Sequence, residues 1–210
     1  MSYTYEYFWE ACQRLKKAGF NPRNYLDIGA SNCETSNIVK KIWPQCDILL
    51  IEANQEFENL YKNYGYKYIF KCLGKENSET NFYKTKKNNF SSGNSIYREM
   101  SETYNDESVI IEKIKIYKLD DIVDKKFDFI KLDTQGSELD IINGGLNTIS
   151  SSKVVIAEIS LEQYNIGGCL ADEVIEKLKN LKFDMVTPIE NTYSINSTKI
   201  IQQSVLFIKK

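Results

Sequence analysis

Four apolar runs in the sequence end in acidic or small polar residues: YLDIGA at Asp27 and Gly29, DILLIEA at Glu52, FDFIKLD at Asp133 and KVVIAEIS at Glu158. A carboxylate beside a buried sheet is costly unless it is paired or hydrogen-bonded. Four endings of one kind ask for a common cause, and a polar pocket at the carboxyl ends of parallel strands supplies it. Glu52 lies 25 residues after Asp27, where an acidic side chain can accept both hydroxyls of a ribose; a structural carboxylate is the alternative. Asp27 is placed to hold turn amides or a water. Gly29 lets backbone approach a ligand, and Ser31 and Asn32 add donors. The candidate cofactor-binding residues are Asp27, Gly29, Ala30, Ser31, Asn32, Glu52, Ala53, Asn54, Leu73 and Asp133, and the candidate catalytic residues are Asp133 and Glu158.

The turn itself, DIGASNCETS, has one glycine where a diphosphate-binding turn has two or three, and Cys33 stands where another is expected. A ligand with ribose and adenine but no diphosphate asks less of this turn, which tilts the chemistry from NAD towards S-adenosylmethionine. A negative φ at Cys33 makes its side chain harmless, whereas a positive one implies strain beside the ligand.

Period-two alternation puts Phe127, Phe129, Lys131 and Asp133 on one face of their strand. A lysine inside a central strand needs a carboxylate partner, and Glu138 and Glu158 are the candidates. No metal ligands are assigned, although Asp133 and Glu158 with neutral oxygens could alternatively hold Mg²⁺ or Ca²⁺.

The chain contains 210 residues and no histidine, which removes Ser-His-Asp and Cys-His mechanisms. A formal charge of −2 and a pI near 5.5 do not suggest a dedicated nucleic-acid binder, although KTKK at 84 to 87 leaves room for a local basic strip. Five scattered cysteines without CxxC, and no apolar leader, point to a reducing, cytoplasmic compartment. No apolar run is long enough to span a membrane.

The elements that must position these residues follow from periodicity. Phe8, Ala11, Cys12, Leu15 and Ala18 give a helix over about 5–18, stopped by Gly19 and Pro22. Strands at 25–30, 47–53 and 66–74 alternate with helices, as in parallel βαβ units. Residues 75–119 break the rhythm with ETNFYKT and SVIIEKIKIYKL, a β-rich insertion around the polar KKNNFSSGNS, which is either a pocket cover or a solvated connection. DDIV and FDFIKLD return the chain to the sheet. SELDIINGGLNTI then forms one helix, N-capped by Ser137, with Asp140 as a capping-box relative and Leu139, Ile142 and Leu146 buried. KVVIAEIS is a strand, and residues 170–181 form a helix with a Glu173 to Lys177 surface pair. FDMVTPI and SVLFIKK close the chain as an antiparallel pair. The fold class is α/β in a single domain, 1–210.

The run IKLDTQGSELDIINGG resembles the signature of the FkbM-type methyltransferase family, at Lys131, Asp133, Gly136, Glu138 and Gly144 or Gly145. The resemblance extends to FNPRNYLDIGA, LLIEANQEFENL, SSGNS, KLDDIV and VVIAEIS, over roughly residues 19 to 160. It implies a Rossmann-like class I methyltransferase fold, a mostly parallel sheet with an antiparallel C-terminal strand. It also implies S-adenosyl-L-methionine as donor and a small-molecule hydroxyl acceptor such as a sugar or glycoconjugate. By position, Asp27, Gly29 and Ala30 would lie at the donor turn, Glu52 at the ribose, and Asp133 near the methionyl end or the acceptor. Ser92 and Ser95 are further contact candidates. Gln135 stands where many members have Glu, and Cys33 replaces a second turn glycine. The alternatives are a catalytically degenerate binding domain, an adenine-dinucleotide oxidoreductase and a nucleic-acid methyltransferase.

Overall fold

A computed structural model describes residues 5–86, 91–194 and 198–210. Helix α1 (Glu6–Lys17) buries Phe8, Ala11, Cys12 and Leu15, and Arg14, Lys16 and Lys17 in its last turn suit the negative end of its dipole. Ala18, expected on the buried face, lies past the last turn and is exposed.

Strands β1 (Asn24–Ile28), β2 (Asp47–Glu52) and β3 (Lys67–Phe70) alternate with α2 (Glu34–Ile42) and α3 (Glu58–Tyr64). The strand expected over 66–74 is broken at Lys71. β3 pairs with β2, whereas β4 (Cys72–Leu73) pairs with β6 (Val109–Tyr117), which in turn pairs antiparallel with β5 (Ser78–Thr85). The β-rich insertion is therefore a separate three-stranded sheet, β4-β6-β5. Its KKNNFSSGNS loop lies partly outside the described residues, which resume at Ser91.

DDIV is not a strand. Leu119–Ile122 forms the short helix α4, and Asp120 accepts the backbone N–H groups of Asn147 and Thr148, both at 2.9 Å. The chain rejoins the main sheet at β7 (Phe129–Leu132) and continues through α5 (Glu138–Gly144), α6 (Leu146–Ser151), β8 (Val154–Ser160) and α7 (Ala171–Asn180) to β9 (Phe183–Tyr193) and β10 (Ile200–Lys209). The single helix expected after β7 is two. A Cβ on Gly144 would stand 2.1 Å from the Gly74 carbonyl oxygen, so backbone packs on backbone where the helix breaks. The core contact then falls to Ile141, Ile142 and Ile149, while Leu146 is exposed and Leu139 only partly buried. Ser137 makes no capping bond and donates instead to the Thr134 carbonyl at 3.3 Å. Glu173 accepts the Leu170 N–H at 2.9 Å rather than pairing with Lys177.

The main sheet runs β3-β2-β1-β7-β8-β10-β9. β3, β2, β1, β7 and β8 are mutually parallel, and β10 is antiparallel to both neighbours. Parallel strands covered on both faces read as continuous apolar runs, which is why these were legible in the sequence. On one face Leu26, Ile130, Leu132 and Val155 meet α5 and α7. On the other, Tyr25, Phe129 and Ile156 meet the first three helices, and Phe129 packs within 6.3 Å of the rings of Phe8, Phe20, Tyr25 and Trp43. Strand order reverses between β1 and β7, so the crevice at their carboxyl ends is the switch point where ligands of such sheets bind.

Candidate functional site

At that crevice the ends of β1 and β7 touch. The Asp133 N–H donates to the Ile28 carbonyl at 3.1 Å, and a Cβ on Gly29 would stand 1.8 Å from the Asp133 carbonyl oxygen. Gly29 also has φ +73°, so this position admits only glycine without strain. The turn that follows is left-handed at Ser31 (φ +43°) and Cys33 (φ +54°). Cys33 thus takes the positive φ that implies strain, of about 1–2 kcal/mol. Its side chain is fully buried among Phe57, Tyr61 and their neighbours, and burial, with Asp27 and Glu34 adding to it, pushes the thiol up to about 12.

Four N–H groups of this turn are already satisfied. Gly29 and Ala30 donate to Ile51 O at 2.9 and 3.3 Å, Ser31 to Glu52 Oε2 at 3.0 Å and Cys33 to Ala30 O at 2.7 Å. Glu52 also accepts from Ala53 and Asn54, each at 2.9 Å. A carboxylate has about four lone-pair sites, so about one remains for a ligand hydroxyl. Burial raises the Glu52 pKa, and these backbone bonds oppose that rise.

Gly29, Ser31, Glu52, Ala53, Leu73 and Asp133 line one cavity. The other candidates lie beside it. Ala30 is core, Asn32 is exposed with its side chain accepting the Glu34 N–H at 3.3 Å, and Asn54 is buried and accepts the Glu56 N–H at 3.3 Å. Asp27 is fully buried and accepts the hydroxyls of Thr35 at 2.9 Å and Ser36 at 2.6 Å, tying the strand to α2. Phe57, Lys71, Phe82, Asn94 and Ile96 also line the cavity and were missed; for Phe82, Asn94 and Ile96 the reason is that contact between the insertion and the main sheet has no local sequence signal. Ser92 and Ser95 line it too. Ser95 is buried, and its hydroxyl is shared between the carbonyl oxygens of Thr134 at 3.1 Å and Gln135 at 2.8 Å.

Lys131 corrects another expectation. Its ammonium lies 3.2 Å from Asp133 Oδ2 and 3.6 Å from Asp27 Oδ1, and donates to Gly29 O at 3.0 Å. Glu138 cannot reach it from α5, which packs on the opposite face, and instead accepts N–H bonds from Thr134 at 2.7 Å and Gly136 at 3.0 Å. Burial disfavours the Lys131 charge, but Asp133 and Asp27 outweigh burial and raise its pKa.

The pKa values of Asp133 and Glu158 are pushed apart. Burial acts to raise the Asp133 pKa, and Lys131 and the Gln135 amide reverse this to lower it. Burial, then the Asp133 and Glu138 charges, hold Glu158 well above the usual carboxylate range. Asp133, Glu158, Lys131, Tyr5, Glu190 and Ser204 line a second, smaller cavity facing α1. Glu190 and Tyr5 were not anticipated, since only the register Glu158↔Ser204↔Glu190 across β8, β10 and β9 brings Glu190 here. Among the described residues, no group of three or more metal-ligating side chains comes together, and no helix is long and apolar enough to cross a membrane.

Solved structures share this fold. An FkbM methyltransferase from Methylobacillus flagellatus KT superposes with a TM-score of 0.55 at 16% identity, over 89% of this chain and 43% of that one. This chain thus spans less than half of that protein. An S-adenosylmethionine-dependent methyltransferase from Clostridium acetobutylicum gives 0.56 at 9% identity, over 99% and 93% of the two chains. The magnesium protoporphyrin IX methyltransferase of Synechocystis PCC 6803, solved with its methyl donor, gives 0.54 at 8% identity, over 97% and 78%. At these identities the likeness establishes the Rossmann-like class I fold alone. No curated protein matches the sequence. The model of the Methyltransferase FkbM domain matches residues 27–185, from the buried aspartate of β1 into β9, and the chain belongs to that family.

Proposed function

We propose that the chain transfers a methyl group from S-adenosylmethionine to a hydroxyl of a small acceptor, a sugar being the leading class, with Asp133 as the group that orients that hydroxyl and takes its proton. The observation that carries this reading is that Asp133 lines both cavities, the one beside Gly29 and Glu52 and the one beside Glu158 and Tyr5.

The donor cavity suits the adenosyl and methionyl parts of the cofactor. Four turn N–H groups are engaged internally, which disfavours a diphosphate that would need them, while Glu52 keeps acceptor capacity for a ribose hydroxyl. Leu73, Phe57 and Phe82 supply apolar walls. When bound, the donor supplies an already activated methyl group, so alignment of the acceptor is the chain's main contribution. Asp133 is the base because Lys131 favours its ionised form, and Glu158 is the neighbour whose pKa burial and the Asp133 charge raise.

Calorimetry with S-adenosylmethionine and its demethylated product, followed by an acceptor screen with a methyl-labelled donor, tests the reading. Micromolar binding and label transfer to a hydroxylated metabolite are expected. Asp133→Asn should fold and lose at least about 10-fold in turnover. Folded protein that binds neither compound would point instead to a degenerate binding domain.

A further inference from the structure

Gln135 sits three residues after the end of β7 in a left-handed backbone state, φ +57°, where side chains other than glycine are uncommon. Ser95, reaching in from the insertion, holds the turn there through its bonds to the Thr134 and Gln135 carbonyls. The result is a side chain aimed back at the strand ends. Its Nε2 lies 2.9 Å from Asp133 Oδ1 and 2.5 Å from Glu158 Oε2. One primary amide nitrogen carries two hydrogens, and here each has a carboxyl oxygen to receive it. Glu158 Oε2 is fixed from the other side by Gln202 Nε2 at 3.2 Å.

We propose that Gln135 is a positioning residue: by donating one amide hydrogen to Asp133 and one to Glu158, it fixes the two carboxyl groups relative to each other and keeps Asp133 turned to the reacting hydroxyl. This rests on the role of Asp133 given above. A second feature supports it. The groups around the pair are unbalanced, with Lys131 on β7 as the cation against Asp27 on β1, Glu138 on α5 and Glu190 on β9, while Tyr5 and Tyr164 approach as neutral phenols. A neutral double donor joins two acids without adding charge, which neither an acidic nor a basic residue at 135 could do. The hydrogen bond from the Gln135 amide to Asp133 favours the ionised form of that group, while burial favours the protonated form of Glu158.

The test uses the full chain and does not need the acceptor. Carboxyl ¹³C NMR titrations of wild type, Gln135→Met and Gln135→Leu, neither of which adds charge, with Asp133→Asn and Glu158→Gln to assign the signals, report the pair directly. Melting temperatures identify which variants are folded, and one folded variant suffices. The expected result is that titration of the Asp133–Glu158 pair moves by about one pH unit or more in the folded variant, with S-adenosylmethionine affinity changed less than about 3-fold. With an acceptor in hand, kcat should fall at least about 10-fold with little change in the donor KM, and the pH profile should move with the carboxyl titration. Unchanged titration in a folded variant overturns the proposal. Absence of donor binding by the wild type would overturn the functional reading instead, and the titration would still decide whether Gln135 sets the pair.

Discussion

Gly29 and Asp133 are joined by absence of volume: the Cβ that Gly29 lacks would lie 1.8 Å from the Asp133 carbonyl oxygen, at the point where the two central strands part. Gly29→Ala must either push β1 from β7 or rotate the Asp133 peptide. We expect a loss of at least about 2 kcal/mol in denaturant unfolding, from overpacking and the positive φ together. Donor affinity measured by calorimetry should fall more than 10-fold, roughly 1.4 kcal/mol or more. A variant with wild-type stability and affinity would mean that the strands separate freely here.

Lys131 lies between the fully buried Asp27 and the half-buried Asp133, so Lys131→Met strands two carboxylates, one of them out of reach of water. The expected cost is about 3–5 kcal/mol at neutral pH, read from urea unfolding. The lowered Asp133 pKa contributes stability that is present above the unfolded-state value of about 3.9 and is lost as pH falls through the folded-state pKa. The deficit of the variant should therefore be largest near neutrality and shrink below about pH 4. A deficit independent of pH would argue that Lys131 acts only by packing.

The raised pKa of Glu158 has the opposite sign. Folding retains its proton, so from the unfolded value near 4.3 upward wild-type stability falls with rising pH until the folded-state pKa is passed. Glu158→Gln keeps an acceptor for Gln135 and a donor towards Asp133, and copies the protonated acid. Its melting temperature should match wild type near pH 4 and exceed it as pH rises, by a margin that levels off once the folded-state pKa is passed. If melting temperatures of the two proteins run parallel across that range, Glu158 is not held protonated.

The sheet and its edges were legible because buried parallel strands write continuous apolar runs, and polar termini such as Asp27 and Asp133 interrupt them sharply. The partner of Lys131 was not. Alternation places its face, but choosing Asp27 over Glu138 requires knowing that β1 lies beside β7 and that α5 crosses the other face. Glu190 was hidden for a similar reason, since it reaches the site through two antiparallel registers starting more than 30 residues away at Glu158. Gln135 was legible only as a missing charge. That its amide spans two carboxyls depends on a left-handed turn, which composition does not announce.

Cys33 supplies a comparison of two variants. At φ +54° a glycine relieves the strain that any Cβ incurs, whereas alanine keeps the strain and loses the thiol packing. Cys33→Gly is expected to be more stable than Cys33→Ala by about 1–2 kcal/mol in urea unfolding. Equal stabilities would indicate that the turn relaxes to negative φ once the buried thiol is gone.

Lys71 alone separates β3 from β4, so one uninterrupted stretch of backbone passes from the main sheet into the small one while walling the cavity beside Gly29 and Glu52. The Lys71 N–H is bonded to Glu52 O at 2.9 Å, and its ammonium lies 4.1 Å from the Tyr117 ring centroid on β6. That wall is a stiff joint: the small sheet cannot pivot without dragging Glu52 and Leu73 along. The facing wall, from Ser91 to Ile96, is fastened by Ser95 hydroxyl bonds and a bridge to Tyr83. The cavity is thus built like a clamshell with one welded edge and one latched edge, and the latch closes on the turn that carries Gln135.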